Sequence, residues 1–82
     1  MTKTPAEKLR SLKEKGVIND YWIEAKYYQQ DHRVIVDVRL TAYQGKTPSI
    51  STGFACGTAD AIALTADMAL AHALSNAAFY ED

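Results

Sequence analysis

The chain reads as an α+β protein in the order α-β-β-β-α: a three-stranded antiparallel sheet with two helices packed on one face. Three observations predict it. Val34, Val36, Val38, Leu40 and Ala42 alternate with Arg33, Ile35, Asp37, Arg39, Thr41 and Tyr43, the period-two pattern of a half-buried strand. Nine alanines fall within Ala59–Ala78, and alanine is the strongest helix former. Thr4-Pro5-Ala6-Glu7 is a helix entrance: a hydroxyl cap, a proline at the first helical position and an acid at the third. At 82 residues the chain holds one core, so residues 1–82 form a single domain.

The first helix places Leu9 and Leu12, with Ala6, on one face and Lys8, Lys13 and Lys15 outward. Lys13 and Lys15 suit its negative end, and Gly16 is the expected stop. Val17–Asp20 connects to a strand over Tyr21–Gln29, rich in aromatics. Gln30-Asp31-His32 turns the chain into the strand Arg33–Tyr43, and Gln44–Pro48 is the next turn. Ser49–Ala55 is the third strand, with Ile50, Thr52 and Phe54 expected inward, and Cys56-Gly57 ends it. Thr58 is expected to cap a last helix running to about Phe79. Both helices are expected over the Val34/Val36/Val38 side, because a sheet with one apolar side needs a lid. The other side is expected to meet solvent.

At 100° per residue the last helix has two apolar stripes. One holds Ile62, Ala66, Ala69, Leu70, Ala73 and Ala77. Its small side chains permit close approach to a sheet, so it is assigned to the core. The other holds Ala61, Leu64, Met68, Ala71, Ser75 and Phe79. Asp60 and Asp67 separate the stripes on one flank, and Thr65, His72 and Asn76 on the other. A neighbouring helix on the same sheet lies to the side, so the second stripe stays exposed in a single copy and is expected to be an interface.

Composition excludes several classes. With 48% hydrophobic and 23% charged residues and a net charge of −1, the chain is too apolar for disorder and has no overall attraction to nucleic acid. No apolar run approaches the roughly 18 residues that span a membrane. Met1-Thr2-Lys3-Thr4 lacks the apolar core of a signal peptide. One cysteine makes no internal disulfide, which points to the cytoplasm. Charge is uneven: residues 1–46 carry nine basic and six acidic side chains, and residues 47–82 none and four. A solvated first helix followed by a charge-poor last one accounts for this.

Pro5 with Leu9, Gly16 with Tyr21, and Gly53 and Gly57 leading to Ala73-Leu74 give the chain a pattern that resembles the double-stranded RNA-binding domain over nearly its whole length. In that family, lysines at the start of the last helix grip phosphates. Here that region reads Gly57-Thr58-Ala59-Asp60-Ala61-Ile62-Ala63. Without fixed cations there is no counterion release to gain, and Asp60 competes for the anion site of the helix end. The resemblance therefore implies the fold without the family's duplex grip. Because degenerate members often bind proteins, it also implies a protein partner. The valine-rich hairpin leading to an alanine-rich helix also resembles the core of Rad52-like annealing proteins. That likeness lacks their basic helix residues and the length of their full core.

No catalytic set stands out. His32, His72 and Cys56 are scattered, with no metal-ligand spacing, and no metal or cofactor is expected. Cys56 precedes a helix N-terminus, where a thiol is activated, but His72 lies roughly 21 Å along that helix, out of reach. Asp60 and Asp67, about 10 Å apart on one face, read as solvated charges. Neither a phosphate loop nor a nucleophile elbow occurs. The expectation is a non-enzymatic protein–protein interaction module: an adaptor or inhibitor docking on a larger protein through Leu64, Met68, Ala71 and Phe79, with homodimerisation through the last helix as one form of this. The alternative is nucleic-acid binding, through a degenerate form of the double-stranded RNA-binding surface or on the solvent side of the sheet, where Trp22, Tyr28 and Tyr43 interleave with Lys26, Arg33 and Arg39. Glu24 and Asp37 weaken that field, and cross-strand pairing explains the same residues without a ligand.

Overall fold

A computed structural model describes residues 4–77. Helix α1 spans Pro5–Glu14. The Glu7 amide donates to Thr4 Oγ1 at 3.2 Å, which satisfies one of the orphan donors of the first turn. Gly16, at φ +80°, turns the chain out of the helix in a conformation that a side chain would strain. Leu9 is fully buried and Leu12 partly so. Ala6, expected beside them, is exposed, because α1 enters the core only through those two leucines.

Strands β1 (Asp20–Gln30), β2 (Arg33–Gln44) and β3 (Thr47–Thr58) form an antiparallel sheet in the order β1-β2-β3. Both hairpins are tighter than expected, and all three strands are correspondingly longer. Asp31 takes φ +56° in the first and Gly45 φ +66° in the second. The register pairs Tyr27 with Val36 and Val36 with Ala55. Directly paired residues share a face, so the buried side carries Val34, Val36, Val38, Leu40 and Ala42 of β2 with Ser51, Gly53 and Ala55 of β3.

This overturns the expected facing of β3. Ile50, Thr52 and Phe54 stand on the open side, and the intervening small residues are buried. The cause is the closeness of the helix above. A Cβ on Gly53 would lie 2.2 Å from Ala73 N and 2.6 Å from Ala69 O, so no larger side chain fits there. Because strand faces alternate, one small residue fixes the facing of all the others.

After β3 the chain makes one 3-10 turn, Ala59–Ala61, and only then enters α2, Ile62–Ser75. Thr58 makes no side-chain capping bond, contrary to expectation. α2 ends at an Asn76 cap, short of the expected end near Phe79, which lies outside the described residues. Its buried seam includes Ala69, Leu70 and Ala73, as expected, and Ala77, just past the cap, is buried too. Ile62, assigned to that seam, is instead exposed, and Thr65 and Leu74 are buried. The seam is set by Ala69 and Ala73 on Gly53, which brings Thr65 against Gly57.

Both helices feed one core, whose largest fully buried side chains are Leu9, Ile18, Leu40, Leu74 and Val36. α2 lies over β2 and β3. Among the described residues nothing covers β1: every residue in it but Tyr21 is exposed, including the helix-side Tyr27 at 56%.

Candidate functional site

The register assembles the open side of the sheet in rows. Trp22, Thr41 and Ile50 make one; Glu24, Arg39 and Thr52 the next; then Lys26, Asp37 and Phe54; then Tyr28, Ile35 and Cys56. Asp20, Tyr43 and Pro48 close one end, and Gln30, Arg33 and Thr58 the other. All six candidates for nucleic-acid contact, Trp22, Lys26, Tyr28, Arg33, Arg39 and Tyr43, thus fall on one surface.

Two members were missed by sequence reasoning. Phe54 is 58% exposed and Ile50 53%, beside Trp22 at 61%. A signal for them existed: Ser51, Gly53, Ala55 and Gly57 form a small-residue stripe matching the alanines of the last helix, and such a stripe belongs beneath a closely packed helix. Between the aromatic rows lies a charged belt. Glu24 sits opposite Arg39, and Lys26 opposite Asp37. The belt borders a shallow depression of about 330 Å³ lined by Glu24, Lys26, Tyr28, Asp37, Arg39 and Thr52. Over the whole face, Lys26, Arg33 and Arg39 are balanced by Asp20, Glu24 and Asp37.

Asp20 is fixed locally. It accepts the Tyr21 amide at 2.9 Å and lies 3.5 Å from Lys13 Nζ. The amide first, and the ammonium second, hold its carboxyl below the ordinary value. Asp60 is also held low, by the Thr58 hydroxyl and by its own backbone amide, so it stays an anion at the entrance to α2.

The second candidate surface is the outer ridge of α2. Leu64 is 62% exposed and Met68 54%, and Ala71 and Ser75 are exposed beside them. Phe79, the fourth residue assigned to this surface, lies outside the described residues.

The remaining polar groups of α2 hold the sheet edge. His72 Nδ1 accepts the Phe54 amide at 3.2 Å, and its ring stands edge-on to the Phe54 ring with centroids 5.6 Å apart. Asn76 Nδ2 donates to Thr52 O at 3.0 Å. Because α2 folds back along β3, His72 comes beside Phe54, much nearer to Cys56 than a position far along the helix suggested. It is nevertheless committed to the strand backbone, and Cys56 belongs to the open side, so no thiol–imidazole pair assembles. Among the described residues, no three His, Cys, Asp or Glu side chains cluster to hold a metal ion, and no helix is long and apolar enough to cross a membrane. Neither a protein-family model, nor a curated protein, nor a solved structure matches the chain.

Proposed function

We propose that the chain is a non-enzymatic protein-binding domain, an adaptor or inhibitor whose larger partner docks on the open side of the sheet, with the Leu64–Met68–Ala71 ridge as a second contact. One observation carries this reading: Trp22, Phe54, Ile50 and Tyr28, each at least half exposed, share one face with an even balance of cations and carboxylates. Large apolar and aromatic side chains exposed on one face, interleaved with paired charges, mark protein interfaces, and exposed aromatics are their usual anchors. A sheet is normally covered on each apolar side, and among the described residues this one has a lid on one side only. Descent from a double-stranded RNA-binding domain that lost its phosphate grip and kept a protein-binding role is part of the proposal, supported by the α-β-β-β-α order. So is a cytoplasmic setting, where the exposed Cys56 stays a thiol.

Affinity capture from the native cell tests the reading. The partner should be lost with Trp22→Ser plus Phe54→Ser and reduced with Met68→Glu, while circular dichroism stays that of the native chain. Full retention of the partner by the sheet-side double variant refutes the assignment of that face.

The second reading, single-stranded nucleic acid stacked on the same aromatics, is favoured by Arg33 and Arg39 standing on their face. It requires a gel shift at low salt that weakens as salt rises and is lost with Arg33→Ala plus Arg39→Ala.

A further inference from the structure

The two edges of the sheet are treated differently. On β3 the middle of the outer edge is held by α2, the Phe54 amide by His72 and the Thr52 carbonyl by Asn76. Those bonds also fix which way every peptide in the sheet points. Thr52 and Phe54 face away from β2, so Arg39 and Asp37, their partners, face β1. Glu24 and Lys26, paired with them in turn, bond to β2. The alternate residues Tyr21, Ile23, Ala25, Tyr27 and Gln29 therefore present their N–H and C=O groups at the outer edge of β1, the Tyr21 amide alone among these being taken by a side chain, Asp20 Oδ1. The bond from the Ala59 amide to His32 O has the same parity. Among the described residues no helix lies over β1, and the strand holds no proline, glycine or bulge along its 11 residues. Natural sheets rarely leave such an edge unprotected.

We propose that a second copy of the chain covers this edge, the two β1 strands pairing antiparallel about a two-fold axis at Ala25 to give one six-stranded sheet. The sequence of β1 is self-complementary about that residue. Glu24 of each copy falls opposite Lys26 of the other. Ile23 falls opposite Tyr27 on the helix side, and Trp22 opposite Tyr28 on the open side. Ala25, the smallest side chain in the strand, meets itself. Moving the axis one residue either way sets Glu24 against Glu24 or Lys26 against Lys26, so charge selects the register. Each outward-facing pair supplies two backbone hydrogen bonds, save that the Tyr21 amide is held by Asp20, which leaves about eight along the strand. This inference stands apart from the docking reading: the open face extends across the new sheet, and its partner binding does not require the second copy.

Sedimentation velocity on the full chain, from micromolar to millimolar concentration, tests it. The wild-type chain should reach a dimer. Glu24→Lys and Lys26→Glu should each weaken dimerisation by about tenfold or more, since each sets two like-charge pairs across the axis. An equimolar mixture of the two variants should restore it, because both unlike pairs re-form. Ala25→Pro removes an N–H that bonds nothing within one copy, so the protomer keeps its fold and the dimer is lost. A chain that stays monomeric at millimolar concentration overturns the proposal. So does a dimer indifferent to all three variants, or a mixture no tighter than its components. A dimer abolished only by Met68→Glu assigns self-association to α2 instead.

Discussion

Gly53→Ala gives the sharpest test of how α2 is seated. The added Cβ would meet Ala73 N at 2.2 Å, Ala69 O at 2.6 Å and Ala73 Cα at 2.8 Å. Ordinary contact begins near 3.4 Å, so the shortfall against Ala73 N exceeds an ångström. All three atoms are helix backbone, so no rotamer change relieves the clash, and α2 must lift off β3. Overpacking costs about 1–3 kcal/mol where side chains adjust. Here, with only a rigid helix to move, about 3 kcal/mol or more is expected. A domain of this size has roughly 4–12 kcal/mol in all, and each kcal/mol moves the midpoint by about 4–8 °C. A fall in Tm of more than about 12 °C is therefore predicted. The matched control is Gly45→Ala, where φ is +66° and nothing lies within 4 Å; it carries only the cost of a side chain in the left-handed region, about 1–2 kcal/mol. Urea titration of both variants decides the matter. If Gly53→Ala unfolds no more readily than Gly45→Ala, the helix does not rest on the β3 backbone, and the facing argued for Phe54 and Ile50 loses its cause.

Gly57→Ala meets the Thr65 hydroxyl at 2.1 Å, a side chain rather than backbone. It should cost less, about 1–2 kcal/mol by urea titration, and Thr65→Ala in the same chain should recover part of the loss. Asn76→Ala removes the bond to Thr52 O and should cost about 0.5–1.5 kcal/mol. His72→Ala should speed amide hydrogen exchange at Phe54, which loses its acceptor. The Asp20 carboxyl should titrate below its ordinary value of 3.8 when followed by NMR. Its contribution to stability is fully present above that value and is lost as pH falls through the lower folded one. Lys13→Ala should raise the midpoint only part of the way, since the Tyr21 amide is the larger cause.

The elements that announce themselves locally were legible in the sequence. The Thr4-Pro5 entrance needs only its own backbone to act, and the alternation in Arg33–Tyr43 is strong because β2 is central, with one face buried along its whole length. The bounds of β3 and its facing were not legible from that strand alone. Ile50, Thr52 and Phe54 look like the residues a core would want, and hydrophobicity assigned them there. Size overruled it: beneath a closely seated helix, volume decides what is buried, and that becomes visible only when the glycines of β3 are read against the alanines of α2. Ile62 failed likewise, because the helical stripe fixes an angle but not where the seam is centred. The candidate surfaces fared unevenly for the same reasons. Leu64 and Met68 are exposed as their helix phase required. The six nucleic-acid candidates share a face, since alternation alone settles it. Phe54 and Ile50 entered that face as a consequence of packing elsewhere.

A single packing arrangement therefore shapes the rest of the surface. Alanines at 69 and 73 let α2 settle onto Gly53, and that closeness expels every large side chain of β3 to the opposite face. The open side gains Phe54 and Ile50 because the covered side of β3 is small. The same seating carries α2 over the β3 edge, where His72 and Asn76 engage strand backbone that would otherwise be bare. A helix of this width cannot also reach β1, so the edge left uncovered lies on the far side of the sheet. The exposure of Phe54 and Ile50 and a bare, charge-complementary strand thus need no separate explanations. Both follow from the choice of glycine and alanine at one contact, and a variant that forces the helix away from Gly53 should disturb the two surfaces together.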